Sequence, residues 1–142
     1  MTQPDRLRNP YGPPIDAATA KRIATAAVDA AGKNGWNMAV AIADPNGDLV
    51  YFEKMDATQI GSIKVAIAKA RSSALFKRAT KVFENALAGG GEGLRVLTLE
   101  GAIAVEGGMP LLAEGRIIGA IGVSGGTPQE DGVAAQAGAA AA

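Results

Sequence analysis

Two side chains carry the types and settings needed for proton or carbonyl chemistry, Lys69 and Glu106. Lys69 shares a helical seam with Ser62, Ala66 and Ser73, small residues that let another element approach closely. A lysine in such a seam either goes inside with its charge held by a carboxylate or extends its stem to keep the ammonium in water. A lysine serves as general acid, electrophile or Schiff-base amine only where burial or a neighbouring cation lowers its pKa. With Glu106 as acid/base and Arg71 or Arg95 holding a substrate carboxylate, the chemistry expected is cofactor-free work on a small anionic or carbonyl-bearing metabolite.

What is missing narrows the field further. The 142 residues contain no His and no Cys, which excludes Ser–His and Cys–His triads, Cys/His zinc sites, iron–sulfur clusters and disulfides. A haem would need Met, Tyr, Lys or an oxygen as axial ligand, and a hard metal on carboxylates stays open. Fourteen Lys+Arg balance fourteen Asp+Glu, which argues against general nucleic-acid binding. No segment offers an apolar run long enough for a membrane span or a signal-peptide core, so a cytoplasmic protein is the default expectation.

The elements that must position these groups follow from spacing. Residues 1–15, with Pro4, Pro10, Pro13 and Pro14, read as an irregular arm, either frayed or laid on a neighbouring subunit with Tyr11. Residues 16–142 read as one domain. Asp16 suits an N-cap, and Ala20, Ile23, Ala24, Ala27, Val28 and Ala31 follow at helical intervals, with Gly32 as the stop. Trp36, Met38, Val40 and Ile42 alternate with smaller residues, and Asn46-Gly47 turns this strand into a second at Leu49–Met55. Residues 60–88 form one long helix or two broken near Thr80.

The span 64–81 is purely basic (Lys64, Lys69, Arg71, Lys77, Arg78, Lys81). Lys64, Arg71 and Arg78 recur every seventh residue, as a solvated face or as the lining for an anionic ligand. Gly89–Gly93 is a loop, and 94–99 and 102–106 are short strand candidates. A second hairpin turns at Glu114-Gly115, and Gly119 and Gly122 in its return strand imply a close neighbour. Thr127, Pro128 and Glu130 then spell a capping box for a final Ala-rich helix. Two hairpins among helices give an α+β fold, an antiparallel sheet with helices packed on it.

Three stretches taken together resemble the GlcG/HbpS-like family, described as haem-binding or haem-degrading and related to the C-terminal domain of some cobalamin adenosyltransferases. They are the hairpin 38–56, the helix 61–71, and Gly107-Gly-Met-Pro-Leu111 with Gly119-Ala-Ile-Gly-Val-Ser-Gly-Gly126. The resemblance spans about residues 16–142. It implies a profilin-like fold and a homo-oligomer built from dimers, commonly toward an octamer. Lys69 and Arg71 match the family's Lys-Ala-Arg element, Ser124 and Gly125 its glycine turn, and Asp131 the acidic position after it.

The leading reading that follows is a small-ligand-binding protein that takes haem or another tetrapyrrole without His ligation. Lys64, Lys69, Arg71 or Arg78 would meet its propionates, Trp36 or Tyr51 would pack on it, and Met55 or Tyr11 would meet the metal. The candidate ligand-binding set is Tyr11, Trp36, Met55, Asp56, Ser62, Arg71, Arg95, Ser124, Gly125 and Asp131. The alternatives are the Lys69/Glu106 enzyme above and a non-catalytic structural or sensory oligomer.

Overall fold

In the computed structural model, which describes residues 7–142, helices cover both faces of one four-stranded antiparallel sheet. The elements are α1 (Ala17–Lys33), β1 (Ala39–Ala43), β2 (Leu49–Lys54), α2 (Ser62–Phe76), α3 (Thr80–Ala88), a 3₁₀ helix (Gly91–Thr98), β3 (Gly108–Ala113), β4 (Arg116–Ser124) and α4 (Pro128–Ala139). The strand order is β2-β1-β4-β3, so the two hairpins meet along β1 and β4, with Val40 opposite Val123 and Ile42 opposite Ile121.

Strand alternation sorts the side chains by size. Met38, Val40 and Ile42 join Ile23, Ala27, Ile121, Val123 and Ala134 in the main core with α1 and α4. Ala39, Ala41 and Ala43 point the other way and meet only Ala66 and Ala70 of α2, with Phe52 and Ile67 at the margin. The second face has few bulky side chains because α2 lies almost backbone to backbone on β4. A Cβ on Gly122 would strike the Ala66 carbonyl oxygen, and one on Gly119 the Ala43 carbonyl oxygen.

Local signals account for most of the boundaries. The Asp16 carboxylate accepts from the Thr19 N–H at 2.8 Å and starts α1. The α4 capping box is complete: the Thr127 hydroxyl accepts from the Glu130 N–H, and the Glu130 carboxylate accepts from the Thr127 N–H. In the first hairpin only Gly47 takes a positive φ, while Asp44 stabilises the loop by accepting from the Asn46 and Asp48 N–H groups. In the second, Glu114 and Gly115 both turn left-handed, as a two-residue type I′ turn requires. The long basic helix is two helices, broken where Lys77 adopts φ 56°.

Three expectations are corrected. Residues 94–99 do not form a strand: Gly90 and Gly91 both turn left-handed, and Gly93 sits against the Ala86 carbonyl, so the segment coils onto α3. Residues 102–106 run without a ladder: the Ala102 N–H donates to the Leu99 carbonyl, and two others donate to side chains, Ile103 to Ser72 Oγ and Glu106 to Glu84 Oε1. Arg78 leaves the Lys64/Arg71 stripe because the helix ends before it. Within the chain, the Tyr11 hydroxyl donates to the Ala74 carbonyl at 2.7 Å. Around it, Gly12 and Ile15 donate to the Ile117 and Ile118 carbonyls, beyond the point where β1 stops pairing with β4. The first six residues of the arm lie outside the described residues.

Candidate functional site

The seam of small residues on α2 draws Lys69 inside rather than out. Its side chain is 1 % exposed, and Nζ donates to Asp131 Oδ2 at 3.0 Å and to the Val123 carbonyl at 2.9 Å. Asp131, also buried on the first turn of α4, accepts a second bond from the Gly126 N–H at 2.9 Å through Oδ1. Burial pushes the Asp131 carboxyl up, while the Gly126 N–H and the Lys69 ammonium pull it back. Close by on the same seam, Ser124 Oγ lies 3.1 Å from Ser62 Oγ, and Gly125 adopts φ 148° where a Cβ would overlap the Asn37 carbonyl. Ser62, Lys69, Ser124, Gly125 and Asp131 therefore gather where α2, the end of β4 and the start of α4 converge.

Gly107 roofs this pair. With φ at 131°, a Cβ there would lie 2.8 Å from Lys69 Nζ and 3.0 Å from Asp131 Cβ. Above the roof lies a cleft of about 360 Å³, lined by Lys81, Glu106, Gly107, Gly108 and Met109 on one side and Gln129, Gly132, Val133 and Gln136 of α4 on the other. Glu106 faces this cleft and does not meet Lys69: its carboxylate lies 3.5 Å from Lys81 Nζ, which also bonds Glu84 at 2.6 Å. Gly132 makes the room, since a Cβ at that point would overlap Glu106 Oε2.

The hydrogen bond from Lys81 and the Glu106 N–H both hold the Glu84 carboxyl below its ordinary value of 4.5. The same bond, donated by Lys81 to Glu84, raises the Lys81 ammonium. A carboxyl lowered on folding contributes stability that is present above its unfolded pKa and lost as pH falls through the folded value. The melting temperature should therefore fall as the pH drops below about 4.5. Glu84→Gln should flatten that part of the profile, as thermal melts across the range will show.

The remaining candidates lie outside this cleft, with Tyr11 and Arg71 both beside Leu75 and the first hairpin turn. Arg71 is exposed, with its side chain running past Gly47 and Gly101. Tyr11 lines a different cavity with Pro14, Pro45, Asn46 and Leu75, and Lys77 stands 4.8 Å over its ring. Trp36 and Met55 pack on the main core, and Asp56 is exposed at the end of the first hairpin. Arg95 lines a third cavity, on the 3₁₀ helix. Among the described residues no group of three or more Asp or Glu side chains could hold a metal ion, and no helix is long and apolar enough to cross a membrane.

Lys81, Glu84, Met109, Gln129 and Gly132 join the site unannounced by sequence. The Lys81-x-x-Glu84 spacing was the available signal, pointing to a helical ion pair. Nothing local links either residue to Glu106.

A family model described as haem degrading protein HbpS-like matches residues 15–140. Protein GlcG of Escherichia coli strain K12 is 36% identical over 105 residues, covering 74% of this chain and 77% of GlcG. Among solved structures, a double mutant of Streptomyces reticuli HbpS superposes with a TM-score of 0.83 at 29% identity, covering 91% of this chain and 87% of that one. A PduOC:heme complex gives 0.81 at 26% identity, covering 91% and 95%.

Proposed function

The chain belongs to the HbpS-like family, and from that premise we propose that it binds a small neutral ligand rich in hydroxyl or carbonyl groups in the cleft above Gly107. The observation that carries this reading is the charge arrangement of the cleft: one ammonium, Lys81, is shared between two carboxylates, Glu84 and Glu106. The cluster is one negative charge in excess, and the Lys69–Asp131 pair beneath it cancels internally. A ligand carboxylate set beside Glu106 would be opposed by this excess negative charge. A hydroxyl donating to Glu106, with a carbonyl accepting from a glutamine amide or Lys81, meets no such opposition.

Haem enters through the family description and the PduOC complex. Its fit to this cleft is poor. The wall supplies no imidazole or thiolate, Met109 is its one thioether, and its one ammonium is already held by Glu84 at 2.6 Å. Two propionates would add to an existing negative excess.

Glu106 is the group in the cleft able to accept or return a proton, whereas Lys69 under its glycine roof acts by holding α2, β4 and α4 in place. Exposed Leu94 and Leu97 on the 3₁₀ helix support self-association through that face, which sedimentation of the purified protein will test.

Calorimetry with dihydroxyacetone, glycolaldehyde and glycerol, beside glycolate and glycerate, tests the ligand class. The neutral compounds should bind, and Glu106→Gln and Lys81→Met should each weaken them about tenfold, the scale of one lost hydrogen bond to a charged group. Preferential binding of the acids, or affinities indifferent to both substitutions, would contradict the assignment.

A further inference from the structure

A second cavity, of about 290 Å³, lies between α3 and the 3₁₀ helix and has the opposite electrostatics. In a 3₁₀ helix side chains three apart eclipse. Gly93, Val96 and Leu99 thus form the face turned into the cavity, Glu92 and Arg95 its rim, and Leu94 and Leu97 the outward face. From the other side Val82 and Phe83 complete an apolar floor, with Phe83 only 4 % exposed.

Two guanidiniums stand over that floor. Arg78 is fixed by its Nε–H donating to the Phe76 carbonyl at 2.8 Å and by stacking 5.3 Å above the Phe83 ring. Its two terminal nitrogens have no hydrogen-bond partner among the described residues. Arg95 is 71 % exposed, and its contact with Glu92 is long, 3.9 Å. Two cations against one loosely engaged acid leave one positive charge in excess beside an apolar pocket.

We propose that this cavity is a binding site, separate from the Glu106 cleft, for a carboxylate carried on an apolar body, such as an aryl or medium-chain acid. The body lies on Phe83, Val82, Val96 and Leu99, and the carboxylate takes paired hydrogen bonds from the Arg78 terminal nitrogens with Arg95 closing the rim. The 3.9 Å spacing lets Glu92 give way to the ligand without breaking a buried contact.

The test is calorimetric titration of the native protein with 1-naphthoate, 1-naphthylmethanol and acetate. Naphthoate should saturate at one per chain. Naphthylmethanol, which keeps the ring and loses the charge, should bind at least tenfold more weakly, and acetate should give no measurable heat. Arg95→Gln, at an exposed position that does not threaten folding, should weaken naphthoate several-fold, and the double substitution Arg78→Gln/Arg95→Gln at least tenfold. Lys81→Met should leave naphthoate unchanged, which keeps this result independent of the cleft above Gly107. Absence of saturable naphthoate binding, equal affinity for the alcohol, or loss of binding in Lys81→Met would each overturn the proposal.

Discussion

Replacing Lys69 by Met should destabilise the protein by about 3–5 kcal/mol, the usual consequence of removing one partner from a buried ion pair. For a chain of this length that is a fall in melting temperature on the order of 10–15 °C. The cause is less the lost attraction than the charge left behind: Asp131 is 3% exposed and would keep only the Gly126 N–H as a bonding partner. Because burial already pushes the Asp131 carboxyl up, removing the ammonium raises it further, and the proton it takes up relieves the penalty. A group whose folded pKa is raised contributes stability below its unfolded pKa and loses it as pH rises through the folded value. The Lys69→Met variant should therefore be less impaired near pH 4 than near pH 8. The double variant Lys69→Met/Asp131→Leu should recover much of the loss, since an apolar pair of similar volume can replace a buried ion pair at little cost. Thermal melts of the three proteins at two pH values decide the matter, and a loss that is independent of pH would contradict the pairing.

Gly122→Ala should be as damaging for a purely steric reason. The added carbon would overlap the Ala66 carbonyl oxygen and the Ala70 amide nitrogen, backbone atoms of α2 that no rotamer change can move. The helix must lift from β4, at about 3 kcal/mol or more, above the usual range for overpacking where side chains give way. The same substitution at Gly32, with nothing within 4 Å of its Cβ position, should be neutral or stabilising by up to about 1 kcal/mol. Chemical denaturation of the pair gives the contrast. A mild Gly122→Ala effect would mean that α2 does not rest on the strand as closely as the geometry has it.

How much of this was legible beforehand depended on the range of the interaction. Asp16, Gly47, Glu114-Gly115 and the Thr127/Glu130 box act within a few residues, and each is found where its chemistry places it. Gly119 and Gly122 were also readable, since a strand keeps glycine where another backbone passes. Leu94–Leu99 alternates like a strand, but its conformation was settled by three glycines and by a contact with Ala86 that no alternation records. Lys69 could be given a seam but not a partner: whether its amine stays wet depends on Asp131, 62 residues away. The setting of Glu106 was hidden for the same reason, because its ion-pair partner Lys81 lies 25 residues away and Gly107 stands between its carboxylate and Lys69. Tyr11 and Arg71 both border Leu75 beside the first hairpin turn, while Arg95 lies apart on the 3₁₀ helix, so the accessible candidates do not form one site with Lys69.

The ligand proposed for the cleft above Gly107 is neutral and polar, and the cleft wall lacks the imidazole or thiolate that would hold a haem iron. The most direct measurement is a haem titration of the purified native protein followed in the Soret region, with serum albumin as the reference for diffuse binding and Met109→Leu and Lys81→Met as partners. The prediction is a weak, albumin-like change without iron ligation, the same in all three forms of the protein. A sharp, saturable Soret shift at defined stoichiometry, weakened by either substitution, would contradict it and make the cleft a haem site.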